Sequence, residues 1–438
     1  MNKSFLLFIL VFSSTIILAQ NDTTITQENI KKGWSFGALP VIAYDSDLGV
    51  LYGGLVNSYN YGDGTTYPKY LHMIAMEISR TTKGGGTNQL FFDSDKMFKK
   101  PIRVTADLSY LTEQALDFYG FNGTESIYER NFEDDASPLY KSRMYYRYAR
   151  EIFRFTCDFQ GEIIPDRLRW IAGFGNYTTA ISSVDIDRLN KGKSDDDKLP
   201  AVESLYDEYV SAGLIEQNEA DGGMVNLIKA GIVYDTRNTE SCPTSGMWTE
   251  LLVATAPRFL YNTENPYTKL IFIHRQYFTL VKDRVSFAYR LGYQGTISGD
   301  APFYMQSLML SSYSPSTIVE GLGGAKSLRG VLRDRVIGDG IAWTNICLRY
   351  KFYRRVIAKQ NFYFAINAFT DIGTVVQKHD LDYSLASFIP KKDELHLTYG
   401  GGLHIAMNEN FVLSINYGLA QNSQDGKNGL YFGASWLF

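Results

Sequence analysis

The feature that most constrains this chain is a strict alternation of apolar and polar side chains along segments of about ten residues. Between positions 411 and 419, one alternate set is wholly apolar: Phe411, Leu413, Ile415, Tyr417 and Leu419. The other set is mostly small or polar: Val412, Ser414, Asn416 and Gly418. Because successive strand side chains point to opposite faces, the pattern predicts β-strands with one apolar face. The same alternation recurs at 346–352, 362–373 and 430–438.

Two all-β architectures contain strands of this kind. A transmembrane barrel turns the apolar face to lipid and the other face to a wet lumen, whereas a soluble sandwich buries its apolar face. The polar faces here carry Asn, Gly and Ser mixed with charge, and aromatic side chains cluster near strand ends, as in the girdles of membrane barrels. These features favour the barrel, and a soluble secreted β-protein is the alternative.

Composition argues against several other classes of protein. The 438 residues hold 43 Lys and Arg against 47 Asp and Glu, so the chain lacks the basic excess of a nucleic-acid binder. Cys157, Cys242 and Cys347 are odd in number and far apart, which argues against a disulfide scaffold or a zinc ribbon. The five histidines show no metal-ligand spacing and no nucleophile elbow occurs, so we expect no metal, no cofactor and no enzymatic activity.

The N-terminus reads as a secretory signal peptide over 1–19. Lys3 supplies a charge, 5–18 is an apolar run, and the sequence Ile-Leu-Ala-Gln at 17–20 is a small-residue cleavage site. The apolar run is too short to be a good membrane-spanning helix, although an uncleaved anchor is the alternative. The remaining chain has no stretch of 18 apolar residues, so we expect an exported protein with a short periplasmic segment, 20–32, and a barrel over 33–438.

Turn residues divide the barrel region into sixteen predicted strands. They span 33–44, 48–60, 69–82, 87–98, 102–112, 141–163, 168–182, 223–236, 246–257, 267–281, 285–298, 340–354, 360–375, 395–407, 411–421 and 428–438. An even strand number is typical of single-chain bacterial barrels. The connections after odd strands include four long ones, 113–140, 183–222, 299–339 and 376–394. Those after even strands are mostly short, such as 99–101, 164–167, 282–284 and 408–410, which fits long external loops and short periplasmic turns.

Strand 141–163 is the least regular of the sixteen. Arg143 and Arg147 lie in one phase of its alternation, and Arg150 and Arg154 lie in the other. A β-bulge inserts one residue and reverses the phase, so we expect a bulge near 149–151.

Six short motifs occur in a defined order along the chain. They are Tyr-Gly-Phe-Asn-Gly at 119–123, Asp-Thr-Arg-Asn at 235–238, Gly-Gly-Ala-Lys-Ser-Leu-Arg-Gly at 323–330, Asn-Ile-Cys-Leu-Arg at 345–349, Phe-Thr-Asp-Ile-Gly at 369–373, and Tyr431-x-Gly433-x-x-Trp436-x-Phe438. Together they resemble the outer-membrane barrels of the BamA/TamA family, the bacterial surface antigen domain. The sequence departs from that family's pattern at Leu328, Val331 and Cys347, the last of which stands where the family usually has Glu.

The resemblance implies that the loop 299–339 folds into the barrel and is fastened there. The implied lock joins Arg329 and Gly330 of the loop to Asp371, which shares the polar face of its strand with Phe369 and Gly373. A partly desolvated Arg–carboxylate pair gains strong hydrogen bonds, and the two glycines allow close approach of the backbones. The alternative is a solvated loop arginine. With Cys347 in place of Glu, we expect a weaker or rearranged lock. The resemblance also makes Asp235 and Arg237 a periplasmic turn motif.

The first and last strands form a predicted seam. Gly37 and Pro40 lie in the first strand, and proline removes a ladder donor and belongs on a strand edge. Gly433, Trp436 and Phe438 lie in the last strand. In the family this seam is a lateral gate, whereas the alternative is that Pro40 marks only a local bulge.

The predicted function is assembly or translocation of polypeptide, or export of lipid, through that seam. The alternative is a passive outer-membrane channel or structural barrel. Expected partners are outer-membrane lipid and lipopolysaccharide, polypeptide clients, and no nucleic acid. BamA and TamA carry periplasmic domains before the barrel, whereas only 20–32 precede the first strand here. We therefore expect a periplasmic partner or a homo-oligomer to replace those domains.

Overall fold

The computed structural model describes most of the chain from Ile30 onward. It covers 30–45, 49–67, 69–82, 84–95, 97–98, 101–240, 242–260, 266–312, 319–357, 360–382, 384, 392–407, 411–433 and 436–438. The predicted signal peptide, most of the segment 20–32, the turn 408–410 and most of the turn 99–101 lie outside these residues.

Sixteen strands occur within the described residues, and each is antiparallel to the next one in the chain. They are β1 (Trp34–Asp45), β2 (Gly49–Asn60), β3 (His72–Thr81), β4 (Gly86–Ser94), β5 (Ile102–Asp117), β6 (Arg147–Ile164), β7 (Leu168–Ser182), β8 (Gly222–Asp235), β9 (Gly246–Ala256), β10 (Tyr267–Val281), β11 (Val285–Ser298), β12 (Gly340–Ile357), β13 (Gln360–Gln377), β14 (His396–Met407), β15 (Phe411–Ala420) and β16 (Asn428–Gly433). The sheet order β1 to β16 follows the chain order, as in an up-and-down barrel. The predicted sixteen-stranded all-β fold is confirmed.

The exposure of alternate side chains decides which face of the strands is the outer one. On β15, Leu413, Ile415 and Tyr417 are 41–47% exposed. Their neighbours Ser414 and Asn416 are at most 9% exposed. A soluble sandwich would bury the apolar set, so this sheet has the apolar-out pattern of a membrane barrel.

Strand boundaries agree with the sequence prediction to within a few residues, with exceptions at β5, β6 and β16. β6 begins at Arg147 rather than at 141, because 141–146 form turns within an external connection. The predicted bulge near 149–151 is displaced to the partner strand. Glu113 pairs with Arg150 and Leu116 with Tyr148, so two residues of β5 face Ala149 of β6.

Short helices occupy the external connections. They are α1 (Ile186–Asn190), α2 (Leu205–Ser211), α3 (Gln217–Ala220) and α4 (Phe303–Gln306), with 3-10 turns at Gly123–Glu125, Arg130–Phe132, Asp195–Asp197, Arg258–Leu260 and Ser423–Asp425. None of the helices in the described part of the chain is long and apolar enough to cross a membrane.

The external connections pack together into an aromatic cap over one end of the barrel. The connections β5–β6, β7–β8 and β11–β12 contribute its core, which includes Phe118, Tyr119, Phe121, Tyr128, Tyr145, Tyr146, Tyr206, Tyr209 and Phe303. Many of these rings meet edge to face, as Phe118 and Tyr209 do at a centroid distance of 5.3 Å. The cap is therefore a packed structure, and it covers this end of the lumen.

The connection 299–339, the plug loop, continues from the cap into the lumen. Its side chains Leu322, Leu328, Val331 and Val336 are all at most 1% exposed. They pack against inward side chains of the wall, among them Leu252 and Trp343. A loop inside the barrel was expected from the sequence resemblance, and the fold confirms it.

Candidate functional site

The plug loop is tied to the wall by an arginine–aspartate pair at Arg329 and Asp371. Nε of Arg329 donates to Oδ2 of Asp371 and Nη2 donates to Oδ1, each at 2.8 Å. The backbone N–H of Arg329 also donates to Oδ2, at 3.0 Å. Asp371 is fully buried and Arg329 is 2% exposed, so this is a desolvated bidentate pair rather than a solvated loop arginine.

Phe369 lies beneath the guanidinium group of Arg329. The distance from Cζ to the ring centroid is 3.4 Å, which is a close cation–π contact. Phe369 and Asp371 are two residues apart on β13 and share its inward face. One strand therefore supplies both the carboxylate and the ring that hold the arginine.

Gly330 and Gly418 let the plug loop touch the wall backbone. Gly330 has φ +109°, and a Cβ there would lie 2.8 Å from the carbonyl carbon of Gly418. A Cβ on Gly418 would lie 2.3 Å from the carbonyl oxygen of Arg329. Both positions therefore require glycine. Gly418 was not singled out from the sequence, because nothing in a strand pattern shows which residue a distant loop approaches.

Gly373 and Tyr431 complete the contact. A Cβ at Gly373 would lie 2.8 Å from Cδ1 of Leu322 and 2.9 Å from Cδ1 of Leu328, so the plug loop lies directly over this glycine. The hydroxyl of Tyr431 on β16 accepts a hydrogen bond from the backbone N–H of Gly330 at 2.9 Å. The structure thus brings the five predicted lock residues together and adds the last strand to them.

A second ionic network, absent from the sequence prediction, holds the plug loop to β5 and β6. Arg150 donates from Nη2 to Glu320 of the plug loop at 2.8 Å and from Nε to Glu113 at 3.0 Å. Arg333 of the plug loop donates to Glu113 at 3.0 Å. Arg150 was visible only as a phase irregularity in its strand, and its partner Glu320 is 170 residues away.

Arg335 joins three external connections at one point. This fully buried side chain donates to the carbonyl oxygens of Gly123 (2.7 Å), Ser126 (2.8 Å) and Gln424 (2.7 Å). Asn122, in the 119–123 motif, has φ +60° and donates to the carbonyl oxygen of His379 at 2.9 Å. The function of the motif here is to bind the cap together.

Position 347 shows how the site is arranged without the family's glutamate. Cys347 is buried opposite Phe369 in the ladder between β12 and β13. Nearby, Arg290 donates to Oδ1 of Asn345 at 2.7 Å and to the carbonyl oxygen of Lys326 at 2.9 Å. Asn345 donates in turn to the carbonyl oxygen of Ser327 at 2.6 Å. Amide and carbonyl groups therefore surround a lock that has a single carboxylate.

The turn motif at Asp235 and Arg237 is a local ion pair. Nη2 and Nε of Arg237 donate to the two carboxylate oxygens of Asp235 at 2.8 and 2.9 Å. The backbone N–H of Arg237 also donates to Oδ1, at 3.1 Å. These bonds shape the connection between β8 and β9, which the strand order places at the end opposite the cap.

The predicted seam residues Gly37 and Pro40 lie in β1, at one end of the strand order. Gly37 pairs with Asn57 and Pro40 with Gly54, and the ladder to β2 runs through twelve residue pairs without a register shift. A local bulge at Pro40, the alternative interpretation, is therefore wrong. At the other end of the order, Gly433 pairs with Ser414 and is the last residue of β16. No ladder between β1 and β16 is found among the described residues.

The positions of Trp436 and Phe438 differ from the sequence prediction. They were expected in an extended last strand with their side chains in the outward alternation, but β16 ends at Gly433 and both side chains are at most 7% exposed. They contact inward residues of the wall, where Nη2 of Arg349 donates to the carbonyl oxygen of Phe438 at 2.7 Å. Buried cationic and polar partners thus hold this end of the chain inside the barrel.

These features define an outer-membrane type of β-barrel whose lumen holds a fastened loop. The sequence model of the Omp85 superfamily domain matches residues 74–438, and the chain belongs to that superfamily.

Two solved structures share the fold. One is BamA from Haemophilus ducreyi lacking POTRA domains 1–3, at 14% identity and a TM-score of 0.54, with 92% of this chain and 70% of that chain covered. The other is CdiB from Escherichia coli, at 11% identity and a TM-score of 0.56, with 92% of this chain and 62% of that chain covered. This chain thus spans less than two thirds of the length of CdiB. No curated protein matches the sequence.

Proposed function

We propose that this protein assembles polypeptides into the outer membrane of a Gram-negative bacterium, or translocates them across it, through a seam between β1 and β16. Membership of the Omp85 superfamily supports outer-membrane protein assembly and translocation as the general role. The proposal assigns the barrel a binding and passage role, with no catalytic step and no cofactor.

The observation that carries the proposal is the unequal length of the two strands that flank the seam. Among the described residues, β1 has twelve residues and β16 has six, and Trp436 and Phe438 beyond it are buried against inward side chains of the wall. A six-residue strand covers at most half of a twelve-residue edge, so part of β1 keeps backbone donors and acceptors available to another strand. A client strand in extended conformation matches that edge by β-augmentation.

The fastened plug loop supports passage at the seam rather than through an open pore. The buried Arg329–Asp371 pair and the glycine contacts beside it keep the loop against β13 and β15. Breaking a buried ion pair costs about 3–5 kcal/mol, which exceeds thermal energy several-fold. We therefore assign the plug loop a structural role in the resting barrel. The part of the barrel that opens in this proposal is the seam.

The proposed partners follow from the surfaces of the barrel. Its outward side chains are apolar and suit outer-membrane lipid, and its capped end would face lipopolysaccharide. Client polypeptides would meet the edge of β1. We propose that a periplasmic protein, or a second copy of the chain, delivers them.

A passive channel is the second candidate, and one cavity favours it. A space of about 410 Å³ lies between the plug loop and the wall at β2–β6. Its lining includes the polar side chains of Glu77, Thr81, Thr112, Glu113, Arg150 and Arg333 beside the apolar ones of Leu51, Leu111 and Ala115. A solute path on this side of the lumen would give a steady conductance without any effect on other membrane proteins.

Depletion of the protein in its own cells separates the two functions. The assembly proposal predicts that other outer-membrane barrels fall in abundance on depletion and recover when the wild-type chain is restored. The purified protein should show no stable open state in a planar bilayer. Unchanged levels of other barrels, together with a steady conductance, would instead identify a channel.

A further inference from the structure

A pocket of about 260 Å³ lies at the end of the barrel opposite the cap. It is formed between the connection β8–β9 and the turn that joins β10 to β11. Drug-sized ligands occupy pockets of roughly 300–1,000 Å³, so this space suits a few side chains rather than a whole small molecule. In the proposed function this end of the barrel faces the periplasm.

Three cationic side chains line the pocket, and one carboxylate lies among them. Lys282 and Arg284 are exposed in the turn, and Lys351 is partly buried on β12. Asp283 lies between the first two and has φ +59°. Neither Lys282 nor Arg284 forms an ion pair within the described part of the chain. The pocket therefore keeps an excess of positive charge that is available to a ligand.

Arg284 and Lys351 face each other across the ladder between β11 and β12. The backbone N–H of Lys351 donates to the carbonyl oxygen of Arg284 at 2.8 Å, which continues the pairing of Val285 with Tyr350. Like charges directly opposite each other destabilise a sheet. The ring of Tyr363, whose centroid lies 4.3 Å from Nζ of Lys351, compensates one of the two charges in part. An anion between the two cations would relieve the repulsion.

The two cations lie on the lumen side of the wall. Side chains alternate along a strand, and the next inward residues are Ser286 on β11 and Arg349 on β12, which are at most 7% exposed. The outward face carries Tyr350, which is 41% exposed. Lipid headgroups are therefore on the other side of the wall, and an occupant of the pocket comes from the periplasmic space.

The connection β8–β9 is held against the pocket by hydrogen bonds to the wall. The hydroxyl of Thr279 donates to the carbonyl oxygen of Thr244 at 3.0 Å, and Arg349 donates to that of Pro243 at 3.3 Å. The hydroxyl of Ser286 lines the pocket and has no hydrogen-bond partner among the described residues. A carboxylate in the pocket accepts from this hydroxyl and from the cations, and such charge-assisted hydrogen bonds are strong.

We propose that this pocket docks an acidic segment of the periplasmic protein that delivers clients to the barrel. The inference rests on the proposed function, because it takes such a protein to exist. Glu or Asp side chains of the segment enter the pocket and pair with Lys282, Arg284 and Lys351. Docking there holds the partner at the mouth of the lumen, beside β8 to β12.

A peptide of alternating Glu and Gly is the probe, with a fluorophore at its N-terminus and an amide at its C-terminus. The matched control peptide has Gln in place of Glu. Each peptide is titrated with the folded full-length protein in a neutral detergent, and fluorescence anisotropy is read. The proposal predicts at least tenfold tighter binding of the Glu peptide at low salt, and a smaller difference at high salt. Equal binding of the two peptides at low salt would overturn the proposal.

Single substitutions on the two faces of this end of the wall test where the peptide binds. Arg284→Gln should weaken binding of the Glu peptide at least fivefold. Arg355→Gln is the matched control, since Arg355 is exposed at the same end of β12. It pairs with Phe362, next to the inward Tyr363, so it lies on the outward face. Equal weakening by the two substitutions would show a general attraction to positive charge and would contradict the proposal.

A second measurement uses the wild-type protein, so it does not depend on the folding of a variant. A carbodiimide activates the carboxylates of the bound Glu peptide, and a lysine amine within reach displaces the urea and forms an amide bond. Mass spectrometry of the digested protein then identifies the lysines that carry the peptide. Lys282 and Lys351 should be the main sites of attachment. Attachment mainly at other lysines would contradict the proposal.

Inorganic phosphate distinguishes a docking site from a site for a small anion. At equal ionic strength, sodium phosphate and sodium chloride should weaken binding of the Glu peptide to the same extent, because both act by screening. Displacement of the peptide by phosphate at a tenfold lower ionic strength than by chloride would show that the pocket takes a free anion, and would overturn the proposal.

Docking and assembly are read separately, so their failures are distinguishable. If depletion lowers the abundance of other barrels while the Glu peptide ignores the pocket, the docking site is wrong and the proposed function stands. If the Glu peptide binds in the pocket but depletion leaves other barrels unchanged, the proposed function is wrong and the acidic partner serves another role.

Discussion

Arg329 and Asp371, 42 residues apart in the chain, meet inside the barrel through two side-chain hydrogen bonds of 2.8 Å and a third from the arginine backbone. The contact joins a loop to a strand wall at a point where neither group reaches water. A pair of this kind is costly to break from one side only, because the remaining charge stays buried.

Removal of either partner should therefore destabilise the barrel. We expect Arg329→Ala and Asp371→Ala each to lower the free energy of unfolding by about 3–5 kcal/mol. The temperature at which the folded band is lost on a detergent gel reports the change. Arg333→Ala is the matched control, because its arginine is half-exposed and such pairs contribute about 0–1 kcal/mol. An unchanged transition in both lock variants would show that the pair does not hold the plug loop.

Gly330 should tolerate no side chain. A Cβ there would clash with the backbone of Gly418 and would also occupy a left-handed conformation, so Gly330→Ala should destabilise the barrel by about 2–4 kcal/mol. Gly324→Ala is the control, since Gly324 also has positive φ but its Cβ would meet nothing closer than 3.5 Å. Equal losses in the two variants would mean that backbone strain alone, and not the contact with Gly418, requires the glycine.

Arg335 should stabilise the packing of the cap. Arg335→Ala leaves the carbonyl groups of Gly123, Ser126 and Gln424 buried without their donor, and Arg335→Lys cannot reach all three. We expect external loops of both variants to be cut by protease on intact cells at least tenfold faster than in the wild type. The exposed Arg130→Ala variant should behave as the wild type does. Full resistance of the Arg335→Ala variant to protease would show that Arg335 does not hold the cap together.

Asp334 should make the plug loop less stable as pH rises. Burial raises the pKa of this carboxyl well above its ordinary value, and Glu320 adds to the effect. A folded-state pKa above the unfolded value means that the folded state binds more protons, so stability falls from about pH 4 upward until the folded pKa is passed.

The variant Asp334→Asn tests this dependence. It should unfold at a higher temperature than the wild type at pH 8. The difference should vanish near pH 4, where the side chain at position 334 is uncharged in both folded proteins. A wild-type advantage at pH 8 would show that Asp334 is charged and stabilising in the folded barrel.

Local patterns explain how much of the fold could be predicted. Alternation along β13 and β15 places each side chain on one of two faces, and this requires no knowledge of distant contacts. The resemblance to the family predicted the contact between Arg329 and Asp371 from sequence motifs alone. Arg150 and Glu320 were missed, because the pairing of a strand with a loop tip depends on the path of the plug loop, and no periodic signal records that path.

The prediction for the end of the chain was wrong for a different reason. In the sequence 430–438 every second residue from Leu430 to Phe438 is apolar, which predicts one long strand, yet residues 436–438 leave the sheet. Arg290, Arg349 and His404 offer cation–π and stacking contacts inside the barrel that lipid does not. Tertiary contacts outweigh a local pattern here, and Arg349 is the residue that could have drawn attention to them.

A disulfide across the seam tests the central claim most directly. Pairs of cysteines, one in β1 and one in β16, would be screened for the pair that forms a disulfide on oxidation, in a protein whose native cysteines are replaced by serine. The control disulfide joins β2 to β3 through Val56→Cys and Met76→Cys, which face each other in that ladder. Both proteins would be placed in liposomes, and insertion of an unfolded barrel client would be measured with and without reductant. The account predicts that the seam-locked protein is inactive until reduced, while the control is active throughout; full activity of the oxidised seam-locked protein would contradict it.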